Sequence, residues 1–160
     1  MYSNKSVLLC FGEGGHTAQM NRLVSKLIEP LSDFDLVSIS DVKKKPEWSA
    51  RHIVTGELRG KHKHSDILFN NGPFKIVKSL RSAIKNNNFQ AMISTGPGIA
   101  IIAALLFKVY GIKVVHVETW SRFTTKSLTG RVMYLLADRF YVQHKSLLSI
   151  YPKAIYAGVL

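Results

Sequence analysis

Two glycine-rich segments contain the residues of this chain that are best suited to bind a phosphate. The first glycine turn is Gly12-Glu13-Gly14-Gly15-His16-Thr17, and the second glycine turn is Thr95-Gly96-Pro97-Gly98. Each follows a short apolar run and precedes a helical pattern, so each presents bare backbone N–H groups at the positive end of a helix dipole. The expected phosphate contacts are Gly14, Gly15, His16, Thr17, Thr95, Gly96 and Gly98.

The first glycine turn matches neither of two common nucleotide motifs. In the G-x-G-x-x-G register its sixth place is Thr17, where the dinucleotide fingerprint has glycine or alanine. No Gly-Lys-Ser/Thr follows, so the turn is not a P-loop. Nicotinamide chemistry and nucleotide hydrolysis are therefore disfavoured, and we expect no cofactor. A purely structural interpretation also stays open, because glycines permit tight strand-to-helix turns.

Two side chains are candidates for general-base chemistry. His16 stands at the mouth of the predicted crevice, where it can orient a pyrophosphate, take a proton from an attacking hydroxyl, or simply cap its helix or bond a neighbouring loop. Glu118 ends an apolar strand and is the alternative base, unless it pairs with Arg122. Ser121 and Arg122 are further candidate phosphate contacts. Apart from a solvated His62-x-His64 pair, the other histidines lack metal-ligand spacing, so we expect no metal site.

Composition limits the class of protein. The 160 residues suffice for a single domain, 1–160, with its own core. Lys and Arg number 22 against 10 Asp and Glu, and the net charge of +12 favours nucleic acid, anionic lipid or phosphorylated ligands as partners. Cys10 is the only cysteine, which indicates a reducing compartment. We expect no signal peptide at the polar N-terminus, and the apolar run Ile99–Phe107 is shorter than the roughly 20 residues of a membrane span.

Strand and helix patterns alternate along the chain. Continuous apolar runs predict strands that are covered on both faces, and apolar residues at helical spacing predict the helices between them. The predicted strands are Ser6–Phe11, Phe34–Ser40, Gln90–Thr95, Ile112–Glu118, Asp138–Gln143 and Ala154–Ala157, with short strands near Ile53 and at Ile67–Phe69. The predicted helices are His16–Ile28, Pro73–Lys85, Gly98–Val109, Ser127–Ala137 and His144–Tyr151.

This alternation predicts an α/β fold, namely a single Rossmann-like, doubly wound parallel sheet with helices on both faces. In such a sheet the chain reverses direction between the first strand and the strand that starts the second half, and ligands bind above the carboxyl ends of those two neighbours. Here those strands are Ser6–Phe11 and Gln90–Thr95. Both glycine turns are therefore expected to face one crevice.

The helix predicted over Pro73–Lys85 separates apolar from basic residues. Its predicted membrane-surface residues are Lys75, Lys78, Arg81 and Lys85. Such a helix either lies on anionic lipid or covers the sheet with a solvated basic face. Further basic residues between Lys43 and Lys63 favour the lipid surface, since each adds on the order of 1 kcal/mol near anionic headgroups.

Five segments carry a family resemblance: GEGGHT (12–17), TGPG (95–98), VETWSRF (117–123), KSLTGRVMYLLADRFYVQ (126–143) and YPKAIYAGVL (151–160). In order and spacing they resemble the membrane-associated, acceptor-binding subunit of a split GT-B glycosyltransferase, the asparagine-linked-glycosylation protein fourteen family. Its bacterial PssD-type relatives act in capsule and exopolysaccharide biosynthesis. The resemblance spans the chain and implies a domain equivalent to the N-terminal half of a GT-B glycosyltransferase. It departs at Val142-Gln143-His144-Lys145, where many members read Val-Gln-Trp-Pro.

The resemblance implies a two-chain enzyme. This chain would bind a polyprenyl-pyrophosphate-linked saccharide and dock on an anionic membrane surface, while a second small Rossmann-like catalytic subunit would carry the UDP-sugar site. The chain is then expected to be inactive without that partner. Because eukaryotic members carry an N-terminal anchor that is not seen here, we expect a peripheral protein on the cytoplasmic face of a bacterial inner membrane.

Two other function classes remain as alternatives. A stand-alone nucleotide-binding Rossmann enzyme would need a complete phosphate motif or an acidic ribose contact, and neither is seen. A nucleic-acid-binding module would interleave aromatic residues with the basic stretch, yet Trp48 is nearly the only aromatic residue there. We therefore expect no nucleic-acid partner.

Overall fold

The computed structural model describes residues 4–55 and 72–160. Strands and helices alternate through these residues. The strands are β1 (Lys5–Cys10), β2 (Asp35–Ser40), β3 (Arg51–Val54), β4 (Asn88–Ser94), β5 (Lys113–Val117), β6 (Arg139–Val142) and β7 (Ile155–Tyr156). The helices are α1 (Gly15–Leu27), α2 (Gly72–Asn86), α3 (Ile99–Val109) and α4 (Leu128–Leu136), with a short 3₁₀ helix at Lys145–Ser149.

The described strands form one sheet in the order β3-β2-β1-β4-β5-β6-β7, and every neighbouring pair is parallel. From β1 the chain first winds outward to β2 and β3, and then returns to place β4 on the other side of β1. This reversal is the topological switch point of a doubly wound sheet. The predicted fold and the predicted neighbours at the switch point are confirmed.

Helices cover both faces of the sheet because side chains along a buried strand alternate in direction. Val7 and Leu9 of β1 pack with Met20 of α1 on one face. Leu8 lies in the core of the other face, together with Phe107 of α3. Both sets are almost fully buried. The continuous apolar pattern of β1 thus reflects two cores rather than one.

The predicted boundaries differ from the structure mainly near the chain's less apolar parts. The strand predicted near Ile53 is present as β3, whereas the one predicted at Ile67–Phe69 lies outside the described residues. The helix predicted over His144–Tyr151 is a 3₁₀ turn, and the last strand contains only Ile155 and Tyr156. Short segments carry too few residues for a periodic pattern to define their ends.

Helix α2 packs its apolar side into the protein. Ile76 and Leu80 are buried in the core, and Lys78, Arg81 and Lys85 are exposed. The side chain of Lys75 lies outside the described set. The helix therefore presents basic residues, rather than its apolar side, to the surroundings. Within residues 4–55 and 72–160, no helix has the length and apolar composition that a membrane crossing requires.

Candidate functional site

The two glycine turns meet at the carboxyl edge of the sheet, where β1 and β4 are neighbours. The Nδ1 atom of His16 lies 2.7 Å from the Thr95 carbonyl oxygen, and the Thr95 hydroxyl donates to the His16 carbonyl at 3.3 Å. Gly12 lies so close to Pro97 that a Cβ at residue 12 would be 2.6 Å from the proline ring. These contacts confirm that both turns face one crevice.

That crevice is a cavity of about 590 Å³. Seven of the predicted site residues line it: His16, Thr95, Gly96, Gly98, Glu118, Ser121 and Arg122. Gly14, Gly15 and Thr17 are not among the described lining residues. The Thr17 hydroxyl instead donates to the Gly12 carbonyl at 2.6 Å, which closes the first glycine turn upon itself. The structure thus brings together residues from both turns and from the segment after β5.

His16 is held in one tautomer by its neighbour. Because a carbonyl oxygen only accepts, the contact with Thr95 requires a proton on Nδ1, and in a neutral imidazole the lone pair is then on Nε2. Gly96, with φ +94°, lies against the His16 ring, and a Cβ at residue 96 would be 2.8 Å from the imidazole Cε1. A residue with a side chain at position 96 would displace the ring. The imidazole is therefore oriented with a proton-accepting nitrogen available.

Two helices begin at the cavity without side-chain caps. Helix α1 follows Gly14, helix α3 follows Gly98, and neither N-terminus receives a side-chain hydrogen bond. The first N–H groups of a helix need partners and attract negative charge. Helix α4 differs, because its capping residue Ser127 accepts a hydrogen bond from the Gly130 N–H at 2.8 Å. The uncapped ends of α1 and α3 make their side of the cavity receptive to an anion.

Glu118 is buried at the cavity wall with 1% exposure. One carboxylate oxygen accepts from the Thr119 N–H at 2.9 Å and from the Ser127 hydroxyl at 2.8 Å, and the other accepts from the Tyr151 hydroxyl at 2.9 Å. Burial, and then the Glu118 charge, raises the pKa of Tyr151, so its hydroxyl stays a donor. Glu118 therefore joins β5, α4 and the segment before β7.

Arg122 does not pair with Glu118, although the sequence left that pairing open. Its guanidinium instead donates to the Thr125 hydroxyl at 3.1 Å, and the residue is exposed at the cavity rim. The neighbouring loop is held by His144, which lies 2.7 Å from the Trp120 carbonyl oxygen and packs against Phe123. The residue that departs from the family pattern thus positions the loop that carries Ser121 and Arg122.

His116 is a cavity residue that sequence reasoning missed. It lies 1% exposed within β5, beside Phe140, with Nδ1 3.3 Å from the Ser94 hydroxyl. Burial, and secondarily the nearby His16, lowers its pKa to about 3, so His116 is neutral at physiological pH. His116 therefore adds no positive charge to this part of the cavity.

Asp41 and Thr55 were also missed. They follow β2 and β3 directly and line the same cavity. The signal that would have found them is their place after predicted strands, since the carboxyl ends of parallel strands share one edge.

Comparison with known proteins identifies the family of this chain. Residues 7–160 match the family model described as "Oligosaccharide biosynthesis protein Alg14 like". The chain belongs to this family. It is 33% identical over 193 residues to the UDP-N-acetylglucosamine transferase subunit ALG14 of Kluyveromyces lactis, across 98% of this chain and 79% of that protein. The rat and human proteins of the same name are 30% and 28% identical, covering 95% and 96% of this chain and 81% and 82% of their own lengths.

Solved structures agree on the fold. MurG from Acinetobacter baumannii superimposes with a TM-score of 0.61 at 17% identity, across 88% of this chain and 41% of that protein. A UDP-glucose: anthocyanidin 3-O-glucosyltransferase superimposes with a TM-score of 0.62 at 12% identity, across 99% and 53%. The chain thus has the fold of one domain of a GT-B glycosyltransferase and spans about two fifths of MurG.

Proposed function

We propose that this chain is the acceptor-binding, membrane-docking subunit of a two-chain glycosyltransferase. Its substrate is a polyprenyl-pyrophosphate-linked saccharide, and a second Rossmann-like chain supplies the UDP-sugar. The proposal depends most on the cavity at the switch point, where His16, in the uncapped first turn of α1, is oriented by Thr95 of the turn that leads into the uncapped α3. The names of the ALG14 relatives support N-acetylglucosamine as the transferred sugar.

The diphosphate of the acceptor belongs between the two glycine turns and Arg122. The N-termini of α1 and α3 offer N–H donors, and Arg122 adds a positive charge at the rim. Backbone donors and a guanidinium both bind phosphate oxygens well. The exposed position of Arg122 leaves its guanidinium able to exchange the Thr125 hydroxyl for a phosphate. We therefore expect this chain to bind an alkyl pyrophosphate.

His16 is the proposed general base. Transfer from a UDP-sugar requires an acceptor hydroxyl to lose its proton as its oxygen attacks the anomeric carbon, and the UDP leaves from that carbon. The unprotonated Nε2 of His16 can receive this proton, and the resulting imidazolium is stabilised by the Thr95 carbonyl on Nδ1–H. Glu118 remains the second candidate, although its two oxygens already accept three hydrogen bonds.

The basic side of α2 is the proposed membrane surface. Lys78, Arg81 and Lys85 are exposed there, and Lys43, Lys44 and Lys45 add an exposed basic segment after β2. Arg59, Lys61 and Lys63 of the predicted basic stretch lie outside the described residues. Peripheral binding at the cytoplasmic face of a bacterial inner membrane, and a setting in capsule or exopolysaccharide biosynthesis, stay predictions.

Reconstitution tests the two-chain proposal. The gene neighbourhood is searched for a similarly small Rossmann-like chain, and the two are co-purified and assayed with UDP-N-acetylglucosamine and a short polyprenyl-pyrophosphate saccharide. We expect transfer only when both chains are present. Full activity of this chain alone would instead establish the stand-alone enzyme.

Two substitutions separate the possible roles of His16. In His16→Gln, the side-chain amide can still donate to the Thr95 carbonyl but cannot serve as a base at neutral pH. If His16 is the base, His16→Gln and His16→Ala both lower kcat by about 100-fold or more. If His16 only orients the acceptor, His16→Gln retains most of the activity. Unchanged turnover in both variants would exclude His16 from the chemistry.

A further inference from the structure

Two buried polar atoms on the cavity wall lack a hydrogen-bond partner within the part of the chain that the structure describes. Among the described residues, Asp41 Oδ1 and Thr55 Oγ1 are the buried side-chain oxygens without a hydrogen bond. Both residues line the cavity that contains His16, and Thr55 is only 5% exposed. A buried polar group without a partner is destabilising, and most such groups in folded proteins are satisfied. Two of them at one place therefore indicate a site for a ligand.

The sheet brings this pair together. Ser40 of β2 pairs with Val54 of β3, and the Thr55 N–H continues the ladder by donating to the Ser40 carbonyl at 2.8 Å. Asp41 and Thr55 are the next residues on two strands about 4.8 Å apart. Asp41 Oδ1 lies beside Gly12, 3.6 Å from where a Cβ would stand, so no side chain at residue 12 packs against this oxygen.

The chemistry of the pair selects hydroxyl groups rather than phosphate. An ionised carboxylate only accepts hydrogen bonds and repels anions, whereas a threonine hydroxyl both donates and accepts. The anion-attracting Arg122 follows β5, three strands away from β2, or about 14 Å across the sheet edge. One end of the cavity, at Arg122, therefore attracts anions, and the other end, at Asp41 and Thr55, favours hydroxyl groups.

We propose that Asp41 and Thr55 form a subsite for the sugar hydroxyls of the acceptor. This inference rests on the proposed function, and it divides the cavity into a diphosphate end at Arg122 and a saccharide end at Asp41 and Thr55. The first glycine turn and His16 lie between them. Binding at the saccharide end orients the acceptor sugar relative to His16, so Asp41 and Thr55 determine specificity for the glycan.

A binding experiment on the isolated chain tests the subsite separately from the diphosphate site. The probes are farnesyl pyrophosphate and farnesyl pyrophosphates that carry one N-acetylglucosamine, glucose or galactose. Wild-type protein is expected to bind at least one sugar-bearing probe about tenfold or more tightly than the sugar-free probe. Thr55→Val is expected to reduce this gain about fivefold to tenfold, and Asp41→Asn about tenfold or more, with sugar-free affinity unchanged.

Stability of the unliganded protein gives a second readout. Since the Thr55 hydroxyl has no hydrogen-bond partner among residues 4–55 and 72–160, Thr55→Val is expected to raise the Tm. The matched control is Ser38→Ala, which removes a buried hydroxyl of β2 that bonds Ser49 at 2.8 Å and His52 at 2.7 Å. Ser38→Ala is expected to lower the Tm and to leave the sugar gain unchanged. A lowered Tm in Thr55→Val would mean that its hydroxyl serves the fold, which overturns the subsite.

The binding outcomes separate the two proposals. If wild-type protein binds all probes equally, or if both variants retain the full sugar gain, the hydroxyl subsite is wrong while diphosphate binding stands. If wild-type protein binds none of the probes, the acceptor-binding function itself is wrong, and the subsite is wrong with it. A sugar gain that is lost in both variants supports both proposals.

Discussion

Replacing Gly130 with alanine should destabilise the fold strongly because of one buried carboxylate. A Cβ at residue 130 would lie 1.8 Å from Glu118 Oε2 and 2.7 Å from Ser127 Oγ. The Glu118 side chain is buried and held by hydrogen bonds to both carboxylate oxygens, so moving away from the added methyl group costs it the Tyr151 hydroxyl, the Ser127 hydroxyl, or both. Each such bond to a charged group contributes about 1.5–3 kcal/mol. We therefore expect Gly130→Ala to lower the free energy of unfolding by about 3–5 kcal/mol.

Urea unfolding followed by tryptophan fluorescence measures this loss. With a slope of about 2 kcal/mol per molar urea for a domain of this size, the midpoint should fall by about 2 M. The matched control is Gly15→Ala at the start of α1, where no atom lies within 4 Å of the added Cβ. That variant should stay within about 1 kcal/mol of wild type, because the backbone accepts alanine there.

A double-mutant cycle tests the assigned cause. In a Glu118→Ala background the carboxylate is gone, so adding Gly130→Ala should cost at least 1–2 kcal/mol less than it does in wild type. Equal penalties in both backgrounds would show that the carboxylate is not the obstacle. A Gly130→Ala protein within 1 kcal/mol of wild type would refute the packing described around Glu118.

Three further predictions concern the cavity and the surface. Since the pKa of His116 is about 3 in the fold and about 6.5 when unfolded, the unfolded chain takes up the proton and stability falls as pH falls from 6.5. Urea titrations should show that His116→Gln removes about 1.5 kcal/mol of the loss between pH 6.5 and 5.0; an unchanged loss contradicts the buried neutral state. Gly96→Ala, at φ +94° and against the His16 ring, should cost about 1–3 kcal/mol of stability and lower turnover in the two-chain assay; wild-type values for both would refute the support of the ring. Lys78→Glu/Arg81→Glu should abolish flotation with anionic liposomes, and wild-type flotation should itself fall at high salt; undiminished flotation at high salt argues against binding by charge.

Local sequence patterns were sufficient to predict most strands and helices and the positions of the two glycine turns. Apolar runs predicted β1, β2, β4, β5 and β6, and helical spacing predicted α1 to α4, since these patterns report burial on two faces or on one stripe. The short β3 was expected only as a strand near Ile53 in a polar, basic stretch. The parallel arrangement followed from the alternation of elements, and with it the meeting of His16 and Thr95, which lie 79 residues apart. The basic side of α2 was also evident, although only the packing showed that its apolar side is used by the core.

The hydrogen-bond partners of Glu118 could not be predicted from the sequence. A glutamate at the end of an apolar strand is compatible with a base, an ion pair or a buried anchor, and its own position does not distinguish them. The Tyr151 and Ser127 hydroxyls that decide the matter come from elements up to 33 residues away. The glycine at residue 130 is visible in the sequence, but only the packing of α4 against β5 shows that the Glu118 carboxylate occupies the space beside it.

The amino-acid order by itself determined which segments become strands and helices, where the glycine turns stand, and which family the chain resembles, because these depend on residues close together in the chain. Only the tertiary structure decided which side chains share the cavity. Asp41, Thr55 and His116 reach it because parallel strands end at a common edge, and their partners, or lack of partners, depend on distances between strands that no local pattern encodes.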